Sequence, residues 1–261
     1  MKEFFGWDGY AREAQGFLSW QHLLFVTSLM IVMVALAVYL GRRYRHCDQK
    51  QKNKVLVWAA ILIDGFELFK IVICGLRSDD PLFWTRLLPL FLCSIQLITI
   101  PLAAFCRGRV KDAALDFVFI FGILGAVLGT YGAGQNYNAY PVLGFDNMVS
   151  GITHAISGFA SLYIAISGMV SMKKKNIPIC VSILGGFCIV AYLANILVPG
   201  GYNYMFLMAG DGTPYDIFFN LVNGHPVLYP AIVVLLFFIY IVTFYHTFYF
   251  IKRKRAAKAQ K

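Results

Sequence analysis

Residues 23–40 read LLFVTSLMIVMVALAVYL, an apolar stretch that contains no charged side chain. A helix of roughly 20 apolar residues, at about 1.5 Å of rise per residue, crosses the hydrocarbon core of a bilayer. The residues that follow, 41–54, read GRRYRHCDQKQKNK and are strongly basic. An apolar stretch followed by a basic segment is typical of a transmembrane helix that ends at the cytoplasmic face.

The composition of the whole chain indicates a membrane protein. Of its 261 residues, 59% are hydrophobic and only 14% are charged, whereas a soluble domain carries about 25% charged residues. The net charge of +10 would suggest nucleic acid as a partner of a soluble protein. Here the basic residues form short runs between apolar stretches, so we predict cytoplasmic loops and no nucleic-acid partner.

Seven stretches are long and apolar enough to predict membrane-spanning helices. We expect them to form a single all-α domain over residues 1–261, a polytopic bundle. The predicted helices cover about 20–40, 55–76, 83–106, 113–131, 148–171, 177–198 and 226–250.

The distribution of Lys and Arg predicts the orientation of the bundle. The basic segments 41–54, 107–112, 173–175 and 252–261 occupy alternate connections, and the other connections are nearly free of Lys and Arg. Because cytoplasmic loops carry the excess of basic residues, we predict an outside N-terminus and a cytoplasmic C-terminus. The predicted location is the cell membrane, with multiple passes.

Small residues on two predicted helices indicate close helix packing. They lie in the fourth and fifth helices: Gly122, Gly125 and Gly129, then Gly151, Ser157, Gly158 and Ser161.

The six cysteines do not have the spacing of a metal site or a disulfide framework. None forms a CxxC pair, and most lie within or at the ends of apolar stretches. We therefore predict no zinc site, no other metal and no cofactor.

Three charged residues interrupt the second predicted helix. Asp64, Glu67 and Lys70 are three residues apart in succession, so they share one broad helix face. Ionisable groups within a membrane are costly and should face the bundle interior. Two interpretations remain open: a Glu67–Lys70 ion pair that fixes packing, or a polar wall of a substrate cavity.

The third and fifth predicted helices carry candidate reactive groups. Cys93 and Gln96 are three residues apart, and His154 lies at a comparable depth on the fifth helix. A buried thiol is usually a small hydrophobic group. A neighbouring imidazole would instead accept its proton and generate a nucleophile. The sequence alone does not show that these helices touch.

The segment 88–93 reads LPLFLC, His154 lies in the fifth predicted helix, and 203–207 reads NYMFL. In order along nearly the whole chain, these motifs resemble those of the YwaF-like family of bacterial integral membrane proteins. The segment 88–93, LPLFLC, resembles the family's LPLxLC signature, and His154 falls where the family has a histidine in its fifth helix. Asn195, followed by NYMFL at 203–207 and then Pro214, resembles the stretch before the last helix. Phe91 and Ser94 depart from the pattern, because relatives often carry polar Gln or His at the first position and Asp at the second.

The resemblance implies a lipid acyltransferase, because a related eukaryotic transmembrane protein is described as a phospholipid acyltransferase that uses the cysteine of this motif. Cys93 would accept the acyl group and His154 would be its base. Gln96 or Asn203 would donate to the developing oxyanion, and Asn195 and Tyr204 would help to bind the substrate. The predicted partners are phospholipid or lysophospholipid, and the sequence indicates no oligomeric state.

Two alternatives come from other classes of protein. In a non-enzymatic carrier or sensor of a small solute, Asp64, Glu67 and Lys70 would bind the ligand. A seven-helix retinal protein needs a lysine within its last helix, and residues 226–251 contain none. Helix number alone does not predict function, so the retinal interpretation is rejected.

Overall fold

The structure is a computed structural model that describes residues 2–259, apart from the side chains of Arg86, Arg255, Ala256, Lys258 and Ala259. Gln260 and Lys261, the end of the predicted basic tail, lie outside the described residues. The part described is helical and contains no β-strand. Its α-helices are α1 (Lys2–Phe5), α2 (Trp20–Tyr44), α3 (Gln49–Leu76), α4 (Gln96–Phe105), α5 (Gly108–Tyr131), α6 (Gly134–Ala139), α7 (Phe145–Ser167), α8 (Ile177–Leu197), α9 (Asp216–Leu221) and α10 (Leu228–Ala259).

Five helical segments in the described part of the chain are long and apolar enough to cross a membrane. They are α2, Gly108–Ala139, α7, Lys174–Leu197 and Leu228–Lys254. The prediction of an all-α, multi-pass membrane protein is therefore confirmed. Helix α3 is longer than most of these segments, but it carries Asp64, Glu67 and Lys70 together with a basic first turn.

The prediction of one continuous helix over 83–106 is wrong. A 3₁₀ turn at Phe83–Leu87 is followed by non-helical backbone, and α-helix resumes only at Gln96. Pro89 explains the break, because proline has no N–H and forces the preceding residue out of the helical region. Leu88 accordingly has φ −59° and ψ 133°. Pro101, by contrast, is accommodated within α4.

Contacts between residues divide the chain into two compact units. The sequence had suggested one domain. The first unit contains Met1–Pro89 and Gln96–Val170, and the second contains Leu90–Ile95 and Ser171–Lys261. The break in the predicted third helix is therefore also the place where the chain enters and leaves the second unit.

In the first unit α7 packs against α2, α3 and α5, and α4 packs against α3 and α5. The predicted close packing of small residues is confirmed between α5 and α7. A methyl group on Gly122 would lie 2.7 Å from the carbonyl oxygen of Ser157, and one on Gly158 would lie 2.7 Å from the Cβ of Ala126. Ser161 donates a hydrogen bond to the carbonyl of Phe119 at 2.9 Å. Small side chains therefore let these two backbones approach closely.

Local capping sets the ends of several helices in this unit. Ser19 accepts a hydrogen bond from the backbone N–H of His22, and Asp48 accepts one from Gln51. Short polar side chains at these positions satisfy N–H groups that the helix leaves unpaired. At the other end of α7, Gly168 adopts φ 76°, the left-handed geometry that commonly terminates a helix.

In the second unit α8 packs against α10 and against the 3₁₀ turn Tyr204–Phe206, and α9 packs against α10. Near the basic end of α10, the hydroxyl of Tyr249 donates a hydrogen bond to the carbonyl of Met172 at 2.8 Å. This bond ties α10 to the segment that precedes α8.

Candidate functional site

Cys93 lies in the non-helical stretch between Leu87 and Gln96. The backbone there forms a tight turn, in which the N–H groups of Ser94 and Ile95 both donate to the carbonyl of Phe91, at 3.0 and 3.3 Å. The thiol is half-buried. Cys93 therefore does not occupy an ordinary packing position on a transmembrane helix, because the backbone here is not regular α-helix.

The two motifs that resemble the YwaF-like family touch each other in the second unit. The ring of Phe91 lies 5.3 Å from the ring of Tyr204, edge to face, and 6.1 Å from the ring of Phe206. These offset geometries are the favourable ones for aromatic pairs. The residues 203–207 therefore support the turn that carries Cys93.

Asn195 and Asn203 hold the second motif in shape through backbone hydrogen bonds. Asn195 accepts from the N–H of Tyr204 at 2.7 Å and donates to its carbonyl at 3.1 Å. The next two residues, Met205 and Phe206, adopt left-handed φ values of 58° and 56°, which side-chain-bearing residues rarely adopt.

The amide of Asn203 is fully engaged with its own loop. Its Nδ2 donates to the carbonyl of Ala209 at 2.8 Å and to the carboxylate of Asp211 at 2.6 Å. Its Oδ1 accepts from the N–H groups of Met208 and Ala209. A side chain with both amide protons committed in this way is a poor donor to a reaction intermediate, so Gln96 is the better of the two candidates.

Gln96 begins α4 and is completely buried. Its Oε1 accepts a hydrogen bond from the hydroxyl of Thr99 at 3.0 Å. Its Nε2 has no hydrogen-bond partner among the described residues. Because an unsatisfied buried amide costs free energy, its Nε2 is the uncommitted donor of the two candidates.

The hydrogen bonds of His154 define which of its nitrogens is basic. Nδ1 lies 2.7 Å from the carbonyl oxygen of Ser150. Since a carbonyl only accepts, Nδ1 carries the proton in the neutral ring and Nε2 carries the lone pair. The ring edge that bears Nε2 lies directly against Gly129 of α5, where any side chain would overlap it.

Two of the charged residues of α3, Glu67 and Lys70, form an ion pair. Lys70 Nζ lies 2.6 Å from Glu67 Oε1, and the two side chains are only 19% and 16% exposed. The predicted pairing of these two residues within the helix is confirmed. Asp64 lies one turn away and is half-buried.

The predicted site residues fall into both units. Asp64, Glu67, Lys70, Gln96 and His154 belong to the first, whereas Cys93, Asn195, Asn203 and Tyr204 belong to the second. The pairing of Cys93 with His154 stays a prediction.

Comparison with known protein families covers nearly the whole chain. A profile of the TMEM164 family matches residues 17–248. The chain belongs to the TMEM164 family. The match includes both motifs and every predicted site residue, and the narrower YwaF-like name stays a prediction. No curated protein and no solved structure matches the chain.

This TMEM164-family protein also contains a polar cluster that the sequence analysis missed. Arg77, just after α3, donates to Asp146 in the first turn of α7 at 2.6 Å. The Tyr10 hydroxyl donates to the other carboxylate oxygen at 2.6 Å. Arg77 also donates to the carbonyl of Phe5 at 2.9 Å. The cluster therefore fastens the N-terminal segment onto the ends of α3 and α7.

A weak signal for this cluster exists in the sequence. Residues 132–147 contain one acidic residue, Asp146, and the predicted outer connections contain few basic residues, of which Arg77 is one. Their pairing is a contact between distant segments, so neither position indicates the other. Burial and the hydrogen bond to Asp146 raise the pKa of Tyr10 to about 12, since both favour the neutral phenol.

Proposed function

We propose that this protein is a membrane-embedded lipid acyltransferase in which Cys93 carries the acyl group and His154 is its base. The observation that carries the proposal is the position of Cys93 in a non-helical turn braced by the second family motif through Phe91. Non-helical backbone at membrane depth is tolerated only where protein buries it or where it lines a polar cavity. A polar cavity beside this turn would give a lipid ester access to the Cys93 thiol.

The reaction has two steps that mirror each other. In the first, His154 takes the thiol proton and the Cys93 sulfur attacks the ester carbonyl of a phospholipid. A C–S bond forms, the ester C–O bond breaks, and His154 returns the proton to the departing lysophospholipid oxygen. In the second step, His154 takes the proton of another lipid hydroxyl, and that oxygen attacks the thioester carbonyl. A C–O bond forms, the C–S bond breaks, and His154 returns the proton to the Cys93 sulfur.

The tautomer inferred for His154 from its hydrogen bond with the Ser150 carbonyl supports its assignment as the base. Its Nδ1–H is held by the carbonyl of Ser150, which orients the ring and leaves the lone pair on Nε2. A backbone carbonyl here has the orienting role that a carboxylate often has in other nucleophile–histidine pairs.

Gln96 is the proposed oxyanion donor. Its Nε2 is buried without a hydrogen-bond partner in the described part of the chain. It follows Cys93 by three residues in the sequence. A fixed donor aimed at developing negative charge contributes about 3–4 kcal/mol to transition-state stabilisation in other acyl-transfer enzymes.

The proposal includes seven membrane crossings in the cell membrane, with the N-terminus outside. The two crossings beyond the five apolar segments are α3 and the broken segment 83–105. Cys47 precedes α3 and Cys106 follows α4, so both thiols lie on the cytoplasmic side in this topology. In variants that keep only one of these two cysteines, an impermeant maleimide should label the remaining thiol from the cytoplasmic side alone. Labelling of Cys106 from outside would contradict a crossing at 83–105.

A covalent acyl-protein is the test of the mechanism. The purified full-length protein is incubated with a phospholipid that carries a labelled acyl chain, and its intact mass is measured. We expect one added acyl group, released by hydroxylamine, which is absent in Cys93→Ala and retained in the matched control Cys106→Ala. An acyl adduct that persists in Cys93→Ala would overturn the assignment of the nucleophile.

The carrier alternative is separated from the acyltransferase by the charged residues of α3. A carrier or sensor that uses them should lose solute binding in the double variant Glu67→Gln with Lys70→Gln. It should keep solute binding in Cys93→Ala. The pair already neutralises itself at 2.6 Å, which favours a packing role. We expect the double variant to retain acylation of Cys93.

A further inference from the structure

A depression of about 430 Å³ opens at the basic end of α10. Its walls come from one face of that helix and from the turn before α8: Lys174, His246, Thr247, Tyr249, Phe250 and Arg253. On α10 the positions 246, 249, 250 and 253 are spaced i, i+3, i+4 and i+7, which places them on one face. All of these residues belong to the second unit.

The lining of this depression suits an anion. Two of its side chains are basic, Lys174 and Arg253, and none of its lining residues is acidic. His246 and Thr247 add a ring nitrogen and a hydroxyl that can hydrogen-bond to phosphate oxygens. Arg presents a planar fork to such oxygens and Lys a point charge, which is a common combination in phosphate recognition.

Contacts within the depression hold its cationic wall in place. Lys174 Nζ lies 5.3 Å from the centroid of the Tyr249 ring, within the range of a cation–π interaction. The hydroxyl of the same tyrosine donates to the carbonyl of Met172. Tyr249 therefore links α10 to the segment that carries Lys174, and the two cations are presented from different segments of the chain.

The surroundings indicate a lipid rather than a soluble anion. The depression lies at the end of Leu228–Lys254, an apolar segment long enough to cross the membrane. Phe250 is 57% exposed beside it, and Ile251 is 46% exposed. An anionic headgroup between Lys174 and Arg253 would leave its acyl chains along this apolar surface.

We propose that this depression is a binding site for the headgroup of an anionic phospholipid, with the phosphate between Lys174 and Arg253. The site is separate from the proposed acyl-transfer residues and does not depend on them. Basic pockets beside transmembrane helices at the cytoplasmic face are a known kind of anionic-lipid site. The neighbouring cations Lys175 and Lys252 do not line the depression, which provides a matched control with one cation from each segment.

The test uses purified full-length protein in neutral detergent, titrated with short-chain phosphatidylglycerol and followed by native mass spectrometry. The site variant is Lys174→Gln with Arg253→Gln, and the control is Lys175→Gln with Lys252→Gln, which has the same net charge. We expect the site variant to bind about 25-fold more weakly, about fivefold for each cation. The control should stay within about twofold of the wild type, because the removed charges lie outside the depression.

Two further arms identify the ligand class. Short-chain phosphatidylcholine should bind far more weakly than phosphatidylglycerol, and glycerol phosphate should bind more weakly than the lipid because it lacks the acyl chains. The thermal stability of each variant without lipid is measured first, and the single variants Lys174→Gln and Arg253→Gln replace the double variant if that one is unfolded.

Three results would overturn the proposal. Equal losses in the site variant and in the control would mean that the diffuse charge of the α10 end attracts the lipid. Unchanged binding in the site variant would mean that the depression is not the site. Glycerol phosphate binding as tightly as the lipid would mean that the ligand is a soluble phosphate.

Discussion

The ring of Phe91 lies edge to face against the ring of Tyr204, with 5.3 Å between the centroids. These residues are far apart in the sequence, and each belongs to one of the two motifs that resemble the YwaF-like family. Their contact gives the second motif a structural role. It braces the turn that carries Cys93, two residues beyond Phe91.

The bracing contact can be tested with Phe91→Ala. Loss of the half-buried ring should lower the free energy of unfolding by about 2 kcal/mol, less than for a fully buried phenylalanine. It should also slow acylation of Cys93, because the turn loses its support. Phe219→Ala is the matched control, since Phe219 lies edge to face against Tyr229 at 5.1 Å, away from the motif. Equal effects on acylation in both variants would argue against a specific brace.

Asn195→Ala should destabilise the turn that contains Met205 and Phe206. The substitution removes an acceptor for the buried N–H of Tyr204 and one donor to its carbonyl, which also accepts from the N–H of Leu207 at 3.3 Å. Removing the acceptor of a buried N–H costs about 1–3 kcal/mol. Asn138→Ala removes an exposed acceptor for the N–H of Phe17, so its effect on the melting temperature should be much smaller. If the two variants melt alike, the backbone clamp is not important for stability.

Gly129→Ala should displace the imidazole of His154, because the new methyl group would overlap the ring edge that bears Nε2. We expect a loss of about 1–3 kcal/mol in stability from overpacking. The acylation rate should fall further than the folded fraction of the protein does. Gly186→Ala on α8 meets nothing within 4 Å and should be neutral or slightly stabilising, since alanine favours a helix over glycine. Normal acylation in a folded Gly129→Ala protein would contradict the assignment of His154.

The pair of Arg77 and Asp146 suits a double-mutant cycle. The two side chains are 16% and 13% exposed, so Asp146→Asn should leave a largely buried guanidinium without its counter-charge. We expect a cost of about 3 kcal/mol. Arg77→Gln combined with Asp146→Asn should cost less than the sum of the single variants. Strict additivity would show that the pair does not couple.

The exposed pair of Glu3 and Arg12 at 3.1 Å is the control cycle and should give a coupling energy below about 1 kcal/mol.

The stability of the N-terminal segment should depend on alkaline pH through Tyr10. Its pKa is raised from 10.0 to about 12 by burial and by the hydrogen bond to Asp146. The contribution is therefore fully present below pH 10 and is lost as the pH rises from 10 through about 12. The difference in stability between the wild type and Tyr10→Phe should be constant below about pH 9 and should shrink above pH 10. A difference that stays constant up to pH 12 would contradict the burial of this phenol.

The fold class follows from the sequence because the signals that indicate it are local. The apolar stretch 23–40 and the basic segment 41–54 predict a membrane helix and its end without reference to any other part of the chain. The break at Pro89 is also a local effect, although the apolar stretch 83–106 that contains this proline predicts a continuous helix. The geometry of Leu88 shows that the proline restriction prevailed there.

The candidate site follows from the sequence only as a set of residue types. Cys93, Gln96 and His154 were selected by their chemistry, whereas the free amide of Gln96 and the tautomer of His154 required coordinates. The roles of Asn195 and Asn203 as backbone clamps depend on loop conformation, which composition does not encode.

The sequence by itself determined that this chain is an all-helical, multi-pass membrane protein, because burial in lipid requires long apolar runs that are visible residue by residue. Only the tertiary structure decided that Arg77 meets Asp146 and that Phe91 meets Tyr204. Such pairs join segments far apart along the chain, and many pairings satisfy the same local pattern. The packing of the whole chain selects among them.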